Sequence, residues 1–286
     1  MSWSVLACLD GCPTSICFSS KSPSRIYLGY ATGDIYQLDW SFLQSIDARS
    51  VENKLCLEAR IPELNYQSIA LDSSGSLLVT DMRHQAVLRV SGSTSYSNYV
   101  SAFENCQLSG PHSVCGDSSA SMIAFTDAGM PGETGLHRSL GSLFLSSEQG
   151  VLLCLCHKTL ASPGSLCFDA TGRNLYVIEK GKNRVLQFYQ QPDSKAWEGR
   201  VYLQLGGSRE AIALVAADDG KLIIAFSLYD GSKPIVRVYN NDGALETILS
   251  EYPGMYISSM TLSPERDCLV AVDKGSRQLF TYRLTN

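Results

Sequence analysis

The sequence has no long hydrophobic run and no cluster of basic residues. None of its apolar stretches approaches the roughly eighteen residues of a membrane-spanning helix, so we expect no transmembrane segment. The 23 Lys and Arg residues against 28 Asp and Glu give a net charge of −5, and no run of five basic residues occurs. Because nucleic acids and anionic membranes attract clustered positive charge, we expect neither as a partner.

The first ten residues also lack the features of a secretory signal. They contain no basic segment, and their apolar stretch, residues 5–9, is short. We therefore expect a cytoplasmic protein whose ten cysteines are reduced, with a disulfide framework as the alternative. Cys17, Cys115 and Cys167 occupy alternate positions of strand-like segments, where a thiol packs as a small hydrophobic side chain.

What the sequence does contain is an internal repeat. An apolar strand, a turn rich in Asp, Ser, Pro or Gly, a β-branched second strand and an alternating third strand recur six times. The residues that end the first strand of each copy are Phe18, Leu71, Gly116, Phe168, Ala216 and Leu262. Their spacings of 53, 45, 52, 48 and 46 residues are typical of four-stranded propeller blades.

The periodicity of these segments favours strands over helices. Residues 185–188 and 236–239 alternate with period two, and no segment has the 3.6-residue apolar stripe of an amphipathic helix. We therefore predict an all-β fold, a six-bladed β-propeller in which residues 1–286 form a single domain. Since the last copy ends after its third strand, we predict that residues 3–9 supply its outer strand and close the ring.

The unit that begins at Pro163 resembles the repeats of the NHL and SMP-30/gluconolactonase-like six-bladed propellers. Those repeats run Pro-Asn-Gly-Val-Ala, an apolar residue, Ser/Asp-x-x-Gly, a strand ending in Ala-Asp, and Asn-Arg-Val/Ile. Here residues 163–172 read Pro-Gly-Ser-Leu-Cys-Phe-Asp-Ala-Thr-Gly, residues 175–179 read Leu-Tyr-Val-Ile-Glu, and residues 183–185 read Asn-Arg-Val. The resemblance implies the same fold for essentially the whole chain.

The resemblance also implies where a metal would bind. Lactonases and phosphotriesterases with this fold hold a central divalent cation through carboxylate and Asn side chains at the starts of the innermost strands. The equivalent positions here, four residues before each strand end, are Thr14, Gln67, His112, Gly164, Ile212 and Ser258. None is acidic or Asn, so we predict no metal and no other cofactor. A small shift of the alignment would bring in Glu210 or Asn65.

Four of these positions, Thr14, Gln67, His112 and Ser258, are the candidate polar residues of the axial channel. His112 could act there as a base, with a packed histidine as the alternative. Acidic residues end the second strand of four copies, at Asp81, Asp127, Glu179 and Asp273. We predict that they accept backbone hydrogen bonds in their turns, in preference to forming a carboxylate ring.

Two long loops, residues 128–139 and 228–234, are predicted to project from the rim of the channel. Their candidate binding residues are Met130, Leu136, His137, Arg138, Tyr229 and Asp230, with tolerated length variation as the alternative. No nucleophile elbow, P-loop or dinucleotide fingerprint is present. We therefore predict a non-catalytic propeller that binds a protein partner, for example in a cytoskeletal or ciliary assembly. The alternative is a divergent SMP-30-like, metal-dependent hydrolase of lactones or esters.

Overall fold

The computed structural model gives the positions of most of the chain. The described residues are 2–19, 22, 24–45, 55–61, 64, 66–117, 119, 121–130, 139–147, 150–207, 209–227, 233–249 and 251–284. No helix within these ranges is long and apolar enough to cross a membrane.

Short alternating segments between polar turns form six four-stranded antiparallel sheets, confirming the predicted six-bladed propeller. The chain begins with β1 (Trp3–Cys8), which belongs to the last blade. Blade 1 contains β2 (Pro13–Phe18), β3 (Arg25–Tyr30), β4 (Asp34–Asp39) and β5 (Cys56–Arg60), with helix α1 (Trp40–Ser45) between β4 and β5. Blade 2 contains β6 (Tyr66–Leu71), β7 (Leu77–Asp81), β8 (Ala86–Val90) and β9 (Tyr96–Val100).

A small hairpin, β10 (Ala102–Phe103) and β11 (Cys106–Gln107), precedes the third blade. Blade 3 contains β12 (Pro111–Gly116), β13 (Met122–Asp127), β14 (Gly141–Ser147) and β15 (Leu152–Leu160). Blade 4 contains β16 (Pro163–Phe168), β17 (Asn174–Glu179), β18 (Arg184–Gln190) and β19 (Trp197–Gln204), with a 3₁₀ turn at Lys180–Lys182. Blade 5 contains β20 (Glu210–Ala216), β21 (Leu222–Ser227), β22 (Ile235–Tyr239) and β23 (Leu245–Ile248).

The sixth blade joins the two ends of the chain. It contains β24 (Ile257–Leu262), β25 (Cys268–Asp273), β26 (Gln278–Arg283) and, as its outer strand, β1. Trp3 lies opposite Tyr282, and its ring packs edge-on against Tyr252 at 4.9 Å. The predicted closure of the ring by the N-terminal strand is thus confirmed.

The core consists of apolar layers between neighbouring blades. Successive residues of a strand point to opposite faces of its sheet, so each middle strand contributes to two layers. Leu78 packs between blades 2 and 3, whereas the adjacent Val79 packs between blades 1 and 2, and both are fully buried. This is why the middle strands are continuous apolar runs.

Serine side chains join the inner strands of neighbouring blades. The third residue of one inner strand accepts a hydrogen bond from a backbone N–H of the next: Ile69 donates to Ser15, Val114 to Ser68 and Leu214 to Ser165, at 3.0, 3.2 and 3.3 Å. These N–H groups lie on the inner edge of each blade, where no further strand pairs. The serines therefore satisfy donors that the ladders leave unpaired.

Candidate functional site

The same irregularity of strand pairing occurs near the start of every inner strand. In each blade the register between the first two strands shifts after the first or second residue. The residues left out of the ladder include Thr14, Gln67, His112, Gly164, Ile212 and Ser258. A bulge turns a side chain away from its ladder. Because the inner strands contact one another around the axis, these positions encircle one end of the channel, here named the channel entrance.

Lys180 and Glu210 bring opposite charges to the channel entrance. The Lys180 Nζ atom lies 3.3 Å from a Glu210 carboxylate oxygen, and the side chains are only 21% and 24% exposed. Lys180 follows β17 of blade 4, whereas Glu210 begins the inner strand of blade 5. The ion pair therefore bridges two blades beside the bulge of Gly164.

His112 is a neutral imidazole within electrostatic reach of Lys180. Burial, followed by the positive charge of Lys180, lowers the pKa of His112 from 6.5 to about 3. Its Nδ1 atom is buried and has no hydrogen-bond partner among the described residues. The imidazole is thus unprotonated at physiological pH, which is the state in which it can accept a proton.

Tyr256 and Lys274 extend the polar surface of the entrance toward blade 6. Burial and, to a smaller extent, the charge of Glu210 raise the pKa of Tyr256, so the phenol is a neutral hydrogen-bonding group. The Lys274 Nζ atom lies 4.2 Å from the centre of its ring. The entrance therefore combines a neutral base, a fixed ammonium, a carboxylate and a phenol.

This set of side chains does not fit a hard divalent cation. Calcium takes six to eight oxygen ligands, with carboxylates supplying negative charge. Glu210 is already paired with Lys180, and within the described ranges no three His, Cys, Asp or Glu side chains are grouped as a metal site. Asn65 lies outside the described residues.

The hydroxyl groups of Thr14 and Ser258 bind backbone carbonyl oxygens. The Thr14 hydroxyl donates to the carbonyl oxygen of Gly29 at 3.2 Å, and the Ser258 hydroxyl donates to the carbonyl oxygen of Pro13, also at 3.2 Å. Gln67 is exposed. His112 is therefore the predicted channel residue that the structure places beside other ionisable groups.

Three of the four acidic turn residues, Asp81, Asp127 and Asp273, accept backbone hydrogen bonds within their turns as predicted, whereas Glu179 accepts from the N–H of Ala161, 18 residues earlier. Asp81, Asp127, Glu179 and Asp273 are buried, and each accepts at least one backbone N–H. Asp273, for example, accepts from Tyr256 and Ser276, which holds the turn after β25 against the start of the inner strand. These carboxylates fix the shape of the entrance.

The predicted loop residues are described only at Met130, whose side chain is 57% exposed. The others, Leu136, His137, Arg138, Tyr229 and Asp230, lie outside the described residues. Their role in binding stays a prediction.

The opposite end of the channel is a cavity of about 460 Å³ with a mixed lining of apolar side chains, serines and the charged residues Asp117 and Arg266. It is lined by the last residues of the inner strands, among them Phe18, Leu71 and Phe168. Three thiols also line it, and burial raises the pKa of Cys17 and of Cys167 to about 12 and that of Cys115 well above its usual range. All three are therefore protonated and uncharged.

Comparison with known proteins gives matches at the level of structure. No family model and no curated protein matches the sequence. A gluconolactonase from Xanthomonas campestris superposes with a TM-score of 0.72 and 16% identity, over 99% of this chain and 89% of that one. Regucalcin, a calcium-binding protein from Agrobacterium tumefaciens, superposes with a TM-score of 0.69 and 14% identity, over 97% of this chain and 92% of that one. A luciferin-regenerating enzyme superposes with a TM-score of 0.71 and 12% identity, over 98% of this chain and 94% of that one.

The chain has the fold of the SMP-30/gluconolactonase-like propellers. These comparisons contradict the prediction of a non-catalytic scaffold, because two of the three structures are enzymes and favour the hydrolase alternative. That prediction was wrong because it inspected one position per blade for carboxylates. Lys180 comes instead from the turn after β17, and Glu210 precedes the bulge residue of its strand by two positions.

Proposed function

We propose that this chain hydrolyses the ester bond of lactones or simple esters at the channel entrance. The observation that carries the proposal is the neutral imidazole of His112, at the same end of the channel as the Lys180–Glu210 ion pair and within electrostatic reach of Lys180. The likeness to a gluconolactonase and a luciferin-regenerating enzyme supports a catalytic role, although identities of 16% and 12% establish only the fold.

The reaction needs a base and a site for the carbonyl group. A water molecule between His112 and the substrate adds its oxygen to the carbonyl carbon while its proton passes to the imidazole. The carbon–oxygen bond of the ester then breaks, and the leaving alkoxide takes the proton back from the imidazolium. The products are the hydroxy acid from a lactone, or an acid and an alcohol from an open ester, and His112 returns to its neutral form.

A low pKa makes His112 a weak base in the resting site, but the reaction itself changes this. The ammonium of Lys180 contributes to the low pKa of the imidazole. As negative charge develops on the carbonyl oxygen, it offsets that positive charge and makes protonation of His112 easier. The imidazole is thus neutral at rest and accepts the proton when the bond forms.

The test is hydrolysis by the purified chain of a panel of γ- and δ-lactones and p-nitrophenyl esters. Loss of a general base costs about 100-fold to 10,000-fold in rate, so His112→Gln is expected to lose at least about 100-fold in kcat/KM. His157→Gln is the matched control, because His157 is an exposed histidine on the outer strand β15. If the wild-type chain hydrolyses no member of the panel, or if His112→Gln retains full activity, the proposal is wrong.

A further inference from the structure

We propose that the Lys180 ammonium takes the place of a divalent cation at the channel entrance, polarising the substrate carbonyl, with Gly164 and Glu210 as its positioning residues. This inference rests on the proposed hydrolysis at the same site. It assigns the positive charge that the reaction needs to a side chain of this protein.

Gly164 allows Lys180 to reach the entrance. A Cβ atom at position 164 would lie 2.6 Å from Lys180 Cε, so the end of the lysine side chain would have to move, and 3.4 Å from Cδ, which is an ordinary contact distance. The lysine stem therefore lies directly across the bulge of the blade 4 inner strand. Of the six bulge positions, this is the one without a side chain, and the neighbouring turn supplies a side chain in its place.

Glu210 holds the Nζ atom without using its full capacity. An ammonium has three N–H donors, and the carboxylate at 3.3 Å engages one of them. The remaining donors can bind a carbonyl oxygen, where they stabilise negative charge as it develops. The nearby carboxylate of Glu179 is occupied by Arg184, Lys182 and the Ala161 N–H, which leaves Glu210 as the anchor.

A lysine and a divalent cation exclude each other at such a site. Both are positive, and their repulsion is strongest in a half-buried environment that water screens poorly. The pairing of Lys180 with Glu210 also uses the carboxylate that a cation would need. The poor fit of the entrance to calcium and the presence of Lys180 thus have one explanation.

The test compares Lys180→Met with wild type, with Lys221→Met as the matched control. Lys221 is also ion-paired, but its partners Asp219 and Glu246 lie away from the bulge residues, so no loss of activity is expected. Loss of one fixed donor to a developing oxyanion costs about 100-fold, so kcat of Lys180→Met should fall by that factor with a smaller change in KM. The kcat of Gly164→Ala, in which the added methyl group displaces the lysine, should fall by about 10-fold.

A second readout does not require activity. Since the Lys180 charge helps to lower the pKa of His112, Lys180→Met is expected to raise that pKa in an NMR titration of the imidazole. An unchanged His112 pKa would place the ammonium elsewhere and overturn the inference, whether or not a substrate has been found. Far-UV circular dichroism and thermal melts check that each variant folds.

Calcium supplies the opposing outcome. Millimolar calcium is expected to leave both the Tm and the kcat of the wild-type chain unchanged, because a ligand stabilises only a protein that binds it. An increase in both would show that a cation performs the role assigned to Lys180. If no lactone or ester is hydrolysed, the proposed function fails, whereas an active Lys180→Met with wild-type kcat refutes the inference alone.

Discussion

The two ends of the channel are built from the same six strands but differ in chemistry. At the entrance, bulges remove one or two residues per inner strand from the ladder, and ionisable groups from four blades or their linkers meet: His112, Lys180, Glu210 and Tyr256. At the opposite end the pairing is regular, and the cavity of about 460 Å³ is lined by apolar side chains, serines and three protonated thiols, with Asp117 and Arg266 as charged residues.

This difference arises from backbone geometry more than from composition. Regular pairing directs inner-strand side chains into the layers between blades, where apolar residues are favoured. A bulge directs one side chain elsewhere and opens the ladder to residues of adjacent turns. The chemistry of the entrance therefore depends on a local irregularity that each repeat preserves.

The largest expected contrast is in thiol reactivity along one strand. Cys12 is exposed just before β2, whereas Cys17, five residues later, lines the cavity. The thiolate is the reactive form, and with a pKa of about 12 only about one Cys17 side chain in ten thousand is ionised at pH 8. Iodoacetamide labelling followed by mass spectrometry should modify Cys12 at least about 1,000-fold faster. Similar rates would show that the cavity is open to reagents and its thiols ionised.

The carboxylates of the two ends should differ in their contribution to stability. Asp273 is fully buried and accepts from two backbone N–H groups, at 2.7 and 2.8 Å, near the entrance. Asp273→Ala leaves both donors without that partner and is expected to lower the free energy of unfolding by about 3 kcal/mol. Asp117, half-buried at the cavity end, accepts from the N–H groups of Ser121 and Met122, and because water can replace it there, Asp117→Ala should cost about 1 kcal/mol. Urea denaturation measures both, and equal costs would contradict the contrast.

Acid should lower the stability of the folded protein through His112 at the channel entrance. The pKa of His112 is lowered from 6.5 to about 3 in the folded state, so between these values the unfolded chain binds more protons and stability falls as pH falls. The contribution of neutral His112 to stability is fully present above pH 6.5. After allowance for screening by water in the channel, its loss by pH 4 is expected to be about 2 kcal/mol. His112→Gln should lose less stability between pH 7 and pH 4 than wild type, and parallel curves for the two proteins would refute the assignment.

The fold and part of the entrance could be predicted from the sequence. In the six repeats apolar and polar residues alternate with a period of two, which indicates strands, and the segment at residues 3–9, which belongs to no repeat, indicates the closing strand. Counting back from the first turn also located the six bulge positions, because the repeats keep the same number of residues from bulge to turn.

The chemistry at those positions could not be predicted in the same way. His112 was recognised as a channel candidate, but its neutral state depends on burial and on Lys180, 68 residues later in the chain. The turn of Lys180, Glu179-Lys180-Gly181, recurs only in the sixth copy as Asp273-Lys274-Gly275, so the six-fold repeat does not mark it. The one signal was Gly164, since a glycine at a position occupied elsewhere by side chains indicates a close approach of another group.

The smallest expected effect concerns the serines that connect the inner strands, of which Ser68 and Ser165 also line the cavity. The Ser68 Oγ atom lies 3.2 Å from the backbone nitrogen and 3.3 Å from the carbonyl oxygen of Val114, in the next blade. Ser68→Ala removes one partner of an edge N–H group that channel water can partly replace, so the expected cost is about 1 kcal/mol. Blade 5 has Ala213 at the equivalent position, and Ala213→Ser provides the reverse experiment, with a gain no larger than that cost. Urea denaturation of the two variants and their double mutant should give additive changes, because the two positions join different pairs of blades. A cost near 3 kcal/mol for Ser68→Ala would show that the inner edges are sealed from water and that the channel is closed between its two ends.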